Sequence, residues 1–164
     1  MTIRAAILTV SDKGSRGERA DTSGAAVGEL LATLDARVVR QDIVPDEHDV
    51  ISSVLREWCD GGDLDLVVTT GGTGLSERDV TPEAVRAVAE RDVPGIAEAM
   101  RAEGMRHTPK AMLSRSVAAV RGRTLILALP GSEKGVRESL GAVLPVLEHA
   151  VDILGGITEH SPKP

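Results

Sequence analysis

The sequence predicts an α/β fold, a three-layer sandwich with a mostly parallel sheet and one antiparallel strand or hairpin. Two observations carry this. Short apolar runs alternate along the chain with stripes of helical period, the pattern of parallel strands joined by crossovers that cover both faces of a sheet. The runs also break off into polar, glycine-bearing segments, where strands give way to loops. An open sheet of this kind takes its ligands beyond the carboxyl ends of its strands, so chemistry is expected in those segments.

Ile3–Val10 reads as the first buried strand. Its apolar stretch, Ala5–Val10, is too short for the apolar core of a signal peptide or for a membrane span, so a cytoplasmic protein with no membrane partner is expected. Ser11-Asp12-Lys13 opens the following loop, and a helix is predicted from Asp21 or Thr22 with Val27, Leu30, Leu31 and Leu34 on one face. Val38–Ile43 is the second strand. After Pro45-Asp46, the positions Val50, Ile51, Val54, Leu55 and Trp58 trace a second helical stripe that stops at Gly61-Gly62. Leu64–Thr70 is the third strand.

Thr81-Pro82 combines a threonine cap with proline at the first helical position, and Val85, Val88 and Ala89 form the inner face of that helix. A further helix is predicted from Ile96 to about Met105. Val117–Val120 and Leu125–Leu129, joined by Arg121-Gly122-Arg123, read as a hairpin and hence supply one antiparallel strand. After Pro130-Gly131-Ser132 a helix runs to Leu154, and Pro145 is expected to kink or divide it.

The 164 residues are expected to make one domain, with its core over residues 3–154 and a loose tail at 155–164. Trp58 is the only aromatic residue and the net charge is −6. The first argues against a base-stacking platform and the second repels a polyanion, so no nucleic-acid partner is expected, whereas a small anion in one pocket is compatible. The single cysteine, Cys59, excludes an intrachain disulfide and a thiolate metal cluster, and reads as a buried structural thiol. His48, His107, His149 and His160 lack metal-ligand spacing and read as surface or cap residues.

The sharpest local feature is Thr69-Thr70-Gly71-Gly72-Thr73-Gly74, between a buried strand and a helix. Three glycines in four positions expose consecutive backbone N–H groups that suit a phosphate; a sharp turn with no ligand is the other reading. The segment is neither a P-loop nor a dinucleotide fingerprint. Asp79, just before the Thr81 helix, is placed either to hold Mg²⁺ against a phosphate or to favour the helix dipole. Asp46, also between strand and helix, reads as a second acid at the same sheet edge or as a plain N-cap. Gly131 and Ser132 offer amides to an anion at a helix N-terminus, or a cap alone. Ser114-Arg115-Ser116 adds a guanidinium suited to an anion.

Together, Thr-Val-Ser-Asp at 9–12, Pro-Asp-Glu at 45–47, Thr-Thr-Gly-Gly-Thr-Gly at 69–74, Arg-Asp-Val-Thr-Pro-Glu at 78–83, Leu-Ser-Arg at 113–115 and Leu-Pro-Gly-Ser at 129–132 closely resemble the MogA/MoaB family of molybdopterin adenylyltransferases and their relatives. The resemblance implies molybdenum cofactor biosynthesis: molybdopterin and ATP, with Mg²⁺, give adenylylated molybdopterin and pyrophosphate. It implies a homo-oligomer, trimer or hexamer, and transient contact with other proteins of that biosynthesis. Asp46 and Asp79 match positions that the family uses around metal, nucleotide and reacting phosphate. Ser11, Gly71, Gly72, Thr73, Gly74, Thr81, Ser114, Arg115, Gly131 and Ser132 would bind substrate or nucleotide. Relatives that bind the pterin without transferring a nucleotide leave a non-catalytic carrier as the alternative.

Overall fold

The computed structural model describes residues 1–157. In chain order they form β1 (Ile3–Val10), α1 (Asp12–Ser15), α2 (Thr22–Leu31), β2 (Ala36–Val44), α3 (His48–Asp60), β3 (Leu66–Thr70), α4 (Thr81–Val88), β4 (Arg91–Asp92), α5 (Pro94–His107), a 3-10 turn (Pro109–Leu113), β5 (Ala118–Arg121), β6 (Thr124–Leu129) and α6 (Glu133–Leu154). The strands join in one sheet of order β2-β1-β3-β6-β5-β4. β1 pairs in parallel with β2 and β3, and β3 with β6, whereas β5 runs antiparallel to both β4 and β6.

Successive side chains of a strand point to opposite faces, and here both faces are covered. Ile7, Val68 and Leu127 lie on one face with Val27 of α2, Met100 of α5 and Leu140 of α6. Leu8, Val67 and Ile126 lie on the other with Ile51 and Leu55 of α3 and Val85 of α4. This is why the central strands are unbroken apolar runs, and it gives the expected three layers.

Several boundaries differ from expectation. Leu34 falls beyond α2 and Leu64 before β3, although each packs into its own core cluster. β4 was not foreseen, because its two residues are both charged and carry no apolar pattern; such short, charged strands are how a sheet edge is blunted. Pro145 does not divide α6, which is continuous over 22 residues. The proline is exposed, so a carbonyl deprived of its donor there can meet water. The first residues of the expected tail are tied down: Gly155 N–H donates to Val151 O at 2.8 Å and Ile157 N–H to Asp152 O at 2.9 Å. Residues 158–164 of that tail, His160 among them, lie outside the described residues.

Parallel β1, β2, β3 and β6 end at one edge of the sheet and deliver the segments after Val10, Val44, Thr70 and Leu129 to it. The antiparallel β5 begins at that same edge, so the residues that precede it, Ser114 to Val117, arrive there as well.

Candidate functional site

Backbone geometry builds the site's floor. Gly71 and Gly72 have φ of +102° and +69°, a region that side chains disfavour. A Cβ on Gly71 would stand 2.2 Å from Val10 O, and one on Gly72 2.3 Å from Thr81 Oγ1. The loop thus turns against the end of β1 and over Thr81. Thr81 is fully buried, and its hydroxyl donates to Gly71 O at 2.9 Å while its N–H donates to Gly72 O at 3.1 Å. The threonine cap expected from sequence is therefore corrected: Val80 occupies the cap position of α4, no side chain caps that helix, and Pro82 is its second residue. The hydroxyl supports the glycine loop instead.

Asp46 is not the cap of α3 either, since Glu47 holds that position and makes no side-chain cap bond. Asp46 and Asp12 clasp each other: Asp12 N–H donates to Asp46 Oδ2 and Asp46 N–H to Asp12 Oδ1, both at 3.0 Å. Arg78 forks onto Asp12 at 2.8 and 3.0 Å, and that guanidinium holds the Asp12 carboxyl below its usual range. Burial raises the Asp46 carboxyl, and the neighbouring charges of Asp12 and Asp79 push the same way. Asp79 accepts from Ser76 N–H at 3.0 Å and lies under Gly74, where a Cβ would come within 2.8 Å of Asp79 Oδ2.

Two cavities adjoin at this edge. The smaller, of about 430 Å³, is lined by Ser11, Asp46 and Gly71 among others. The larger, of about 490 Å³, is lined by Thr73, Gly74 and Ser114 together with Arg101, Lys110 and Lys134. Gly72, Asp79, Gly131 and Ser132 line both. Ser11 and Ser132 also cap helices, accepting from Gly14 N–H at 2.9 Å and Gly135 N–H at 3.0 Å.

Ten of the twelve residues singled out in the sequence thus line one cavity or the other. Thr81 lies beneath the floor. Arg115 lines neither: its guanidinium donates to Gly74 O at 2.8 Å, to Asp79 O and to the Glu83 carboxylate. Sequence reasoning missed the three cations of the larger cavity and the Arg78–Asp12 fork. Lys134, two residues after Ser132 at a helix start, had a readable signal in the anion-binding segment; Arg101 and Lys110 had none, being ordinary helix and turn residues until the chain folds.

Among the described residues no three His, Cys, Asp or Glu side chains form a group able to hold a metal ion. Mg²⁺, however, is commonly held by one or two carboxylates plus substrate phosphates and water. The Asp46 carboxyl, raised chiefly by burial and also by the neighbouring charges of Asp12 and Asp79, shares the smaller cavity with Asp79, an arrangement that fits a divalent cation arriving with phosphate. Cys59 is buried, which pushes its thiol up to about 11, as suits a structural residue.

The model of a family described as a probable molybdopterin binding domain matches residues 6–149. The chain belongs to this family. Within the molybdopterin-binding family it is 43% identical over 157 residues to the molybdopterin adenylyltransferase of Helicobacter pylori strain J99, covering 94% of this chain and 89% of that protein. It is 40% identical over 144 residues to the molybdopterin adenylyltransferase of Escherichia coli K12, covering 87% and 74%. The crystal structure of the molybdopterin biosynthesis enzyme MoaB from Thermus thermophilus superposes with a TM-score of 0.90 at 59% identity, over 94% of this chain and 98% of that one. The glycine loop, both acids and all four residues common to the two cavities fall inside the family match.

Proposed function

We propose that this protein is a molybdopterin adenylyltransferase of molybdenum cofactor biosynthesis. An oxygen of the terminal phosphate of molybdopterin attacks the α-phosphorus of ATP, the bond from that phosphorus to the bridging oxygen breaks, and pyrophosphate leaves with the electron pair. The observation that supports this best is the pair of cavities with a common wall of Gly72, Asp79, Gly131 and Ser132. A transfer between two bound substrates needs two chambers that meet where the bond forms, and holding both reactants there removes most of the entropic barrier.

Arg101, Lys110 and Lys134 offset the negative charge of a phosphorylated substrate in the larger cavity, against an overall charge of −6. The amides of Gly72, Thr73 and Gly74 offer donors to a phosphate at the common wall, and Ser11, Ser114, Gly131 and Ser132 complete the two chambers. Asp46 and Asp79 are the residues that would hold Mg²⁺. Bound there, the ion would reduce the repulsion between two anionic reactants and favour departure of pyrophosphate. Asp46, kept in place by the Asp12 clasp, faces the smaller chamber, and Asp79 stands at the boundary between the two.

The test is pyrophosphate release from molybdopterin, ATP and Mg²⁺ by the wild-type protein and by Asp79→Asn. Release by the wild type that drops at least about 100-fold in the variant, at unchanged melting temperature, is expected on the order of magnitude of losing one charge-stabilising group. Pterin binding without release would leave a carrier. We further propose that the protein works in the cytoplasm and as a homo-oligomer, trimer or hexamer; exposed apolar side chains such as Leu75, Met112 and Leu113 favour the assembly, and a monomer mass in sedimentation would remove it.

A further inference from the structure

We infer that Arg115 and Glu83 form a positioning pair that holds the glycine loop and Asp79 in the geometry of transfer, and that Arg115 does not bind substrate. This rests on the adenylyl-transfer reading. An arginine next to a phosphate site is by default an anion ligand, because its fork matches phosphate oxygens. Here all three guanidinium nitrogens are engaged within the protein: Nε with Gly74 O, Nη2 with Asp79 O and Nη1 with the Glu83 carboxylate. The Arg115 N–H adds a bond to Thr73 O at 2.9 Å. Arg115 lines neither of the two adjoining cavities.

Residues 71–80 contain no helix or strand, so their placement depends on cross-links of this kind. The cross-links start from a firm base. Arg115 lies three residues before β5, whose partners are β4 and β6, and Glu83 lies in the first turn of α4. The guanidinium therefore ties the loop to the sheet on one side and to a helix on the other. The Glu83 carboxyl is held below its usual range chiefly by this hydrogen bond. A lysine keeps the charge but cannot reach three acceptors at fixed angles.

The test compares Arg115→Lys, Glu83→Gln and the double variant by three readings: single-turnover rate at saturating substrates, affinity for molybdopterin, and amide hydrogen exchange over residues 72–80. The pair predicts a rate loss of about 10- to 100-fold for Arg115→Lys and a smaller loss for Glu83→Gln. The double variant should be no slower than Arg115→Lys, molybdopterin affinity should stay within about threefold, and loop exchange should quicken while the β1 and β3 amides remain protected. Weakened molybdopterin or ATP affinity at an unchanged saturated rate, with Glu83→Gln behaving as wild type, would overturn it. A wild-type protein that transfers nothing would instead remove the adenylyltransferase reading, and exchange alone would then decide the pair: faster loop exchange in both variants supports it, and unchanged exchange overturns it.

Discussion

At Gly72 a single hydrogen in place of a side chain decides whether the site exists. Its positive φ, and the 2.3 Å that would separate an added Cβ from Thr81 Oγ1, leave no room for a methyl group. Gly72→Ala is expected to lose more than about 1 kcal/mol of stability and to lose transfer as well, read as a lower urea midpoint beside the pyrophosphate assay. The importance of this residue was legible, because glycines at 71, 72 and 74 after an apolar strand have few meanings. The same chain was misleading at Thr81, where threonine before proline imitates a helix start and hides a hydroxyl bonded to a carbonyl ten residues away. Asp46 was placed on the right edge of the sheet but left between acid and cap. What settles its geometry is a reciprocal bond with Asp12, 34 residues earlier, and no local pattern encodes such a partner.

Among the elements, those built on periodicity were legible and those built on pairing were not. Helices α2 to α6 and the four long strands follow from apolar spacing, whereas the order β2-β1-β3-β6 depends on which strands meet. Antiparallel β5 was foreseen from the link at Arg121–Arg123, and Ser114 and Arg115 before it were singled out from sequence; what the fold adds is the reason they reach the site, because β5 begins at the edge where the parallel strands end. At the opposite edge of the sheet Arg4 joins β1 to the start of β3. Its Nη2 donates to Asp65 Oδ1 at 2.7 Å, and Asp65 Oδ2 accepts from both Nε and N–H of Arg4. The Arg4 hydrogen bond lowers the Asp65 pKa, so the folded state binds this proton less readily than the unfolded chain. The contribution is thus present above the unfolded value, near pH ~4, and is lost as pH falls through the depressed folded value. Asp65→Asn should be less stable than wild type at neutral pH by about 1–3 kcal/mol, with the difference shrinking in acid melts, and its saturated transfer rate should be unchanged.

Over the whole molecule the anionic balance coexists with a local gathering of cations: α5, the turn after it and α6 each contribute one to the larger cavity, beside the acids Asp79 and Glu138. Because Mg²⁺ is commonly held by one or two carboxylates completed by substrate phosphates and water, metal held by Asp46 and Asp79 is expected to join with nucleotide. Chelation with EDTA is expected to abolish transfer while leaving the melting temperature of the unliganded protein unchanged, and ATP should raise that temperature much more with Mg²⁺ than without. A melt that falls on chelation alone would indicate a resident structural ion instead.

The wall of Gly72, Asp79, Gly131 and Ser132 belongs to both chambers, and this affects the end of the reaction as much as its start. A compound joined across it keeps a foothold in each chamber, so when one half lets go the other holds it nearby at high local concentration. On the adenylyl-transfer reading, the product would be held by both chambers at once and is expected to bind more tightly than either substrate alone. Turnover in such a design depends on what lifts the product out, and an acceptor that engages one half first meets the least resistance.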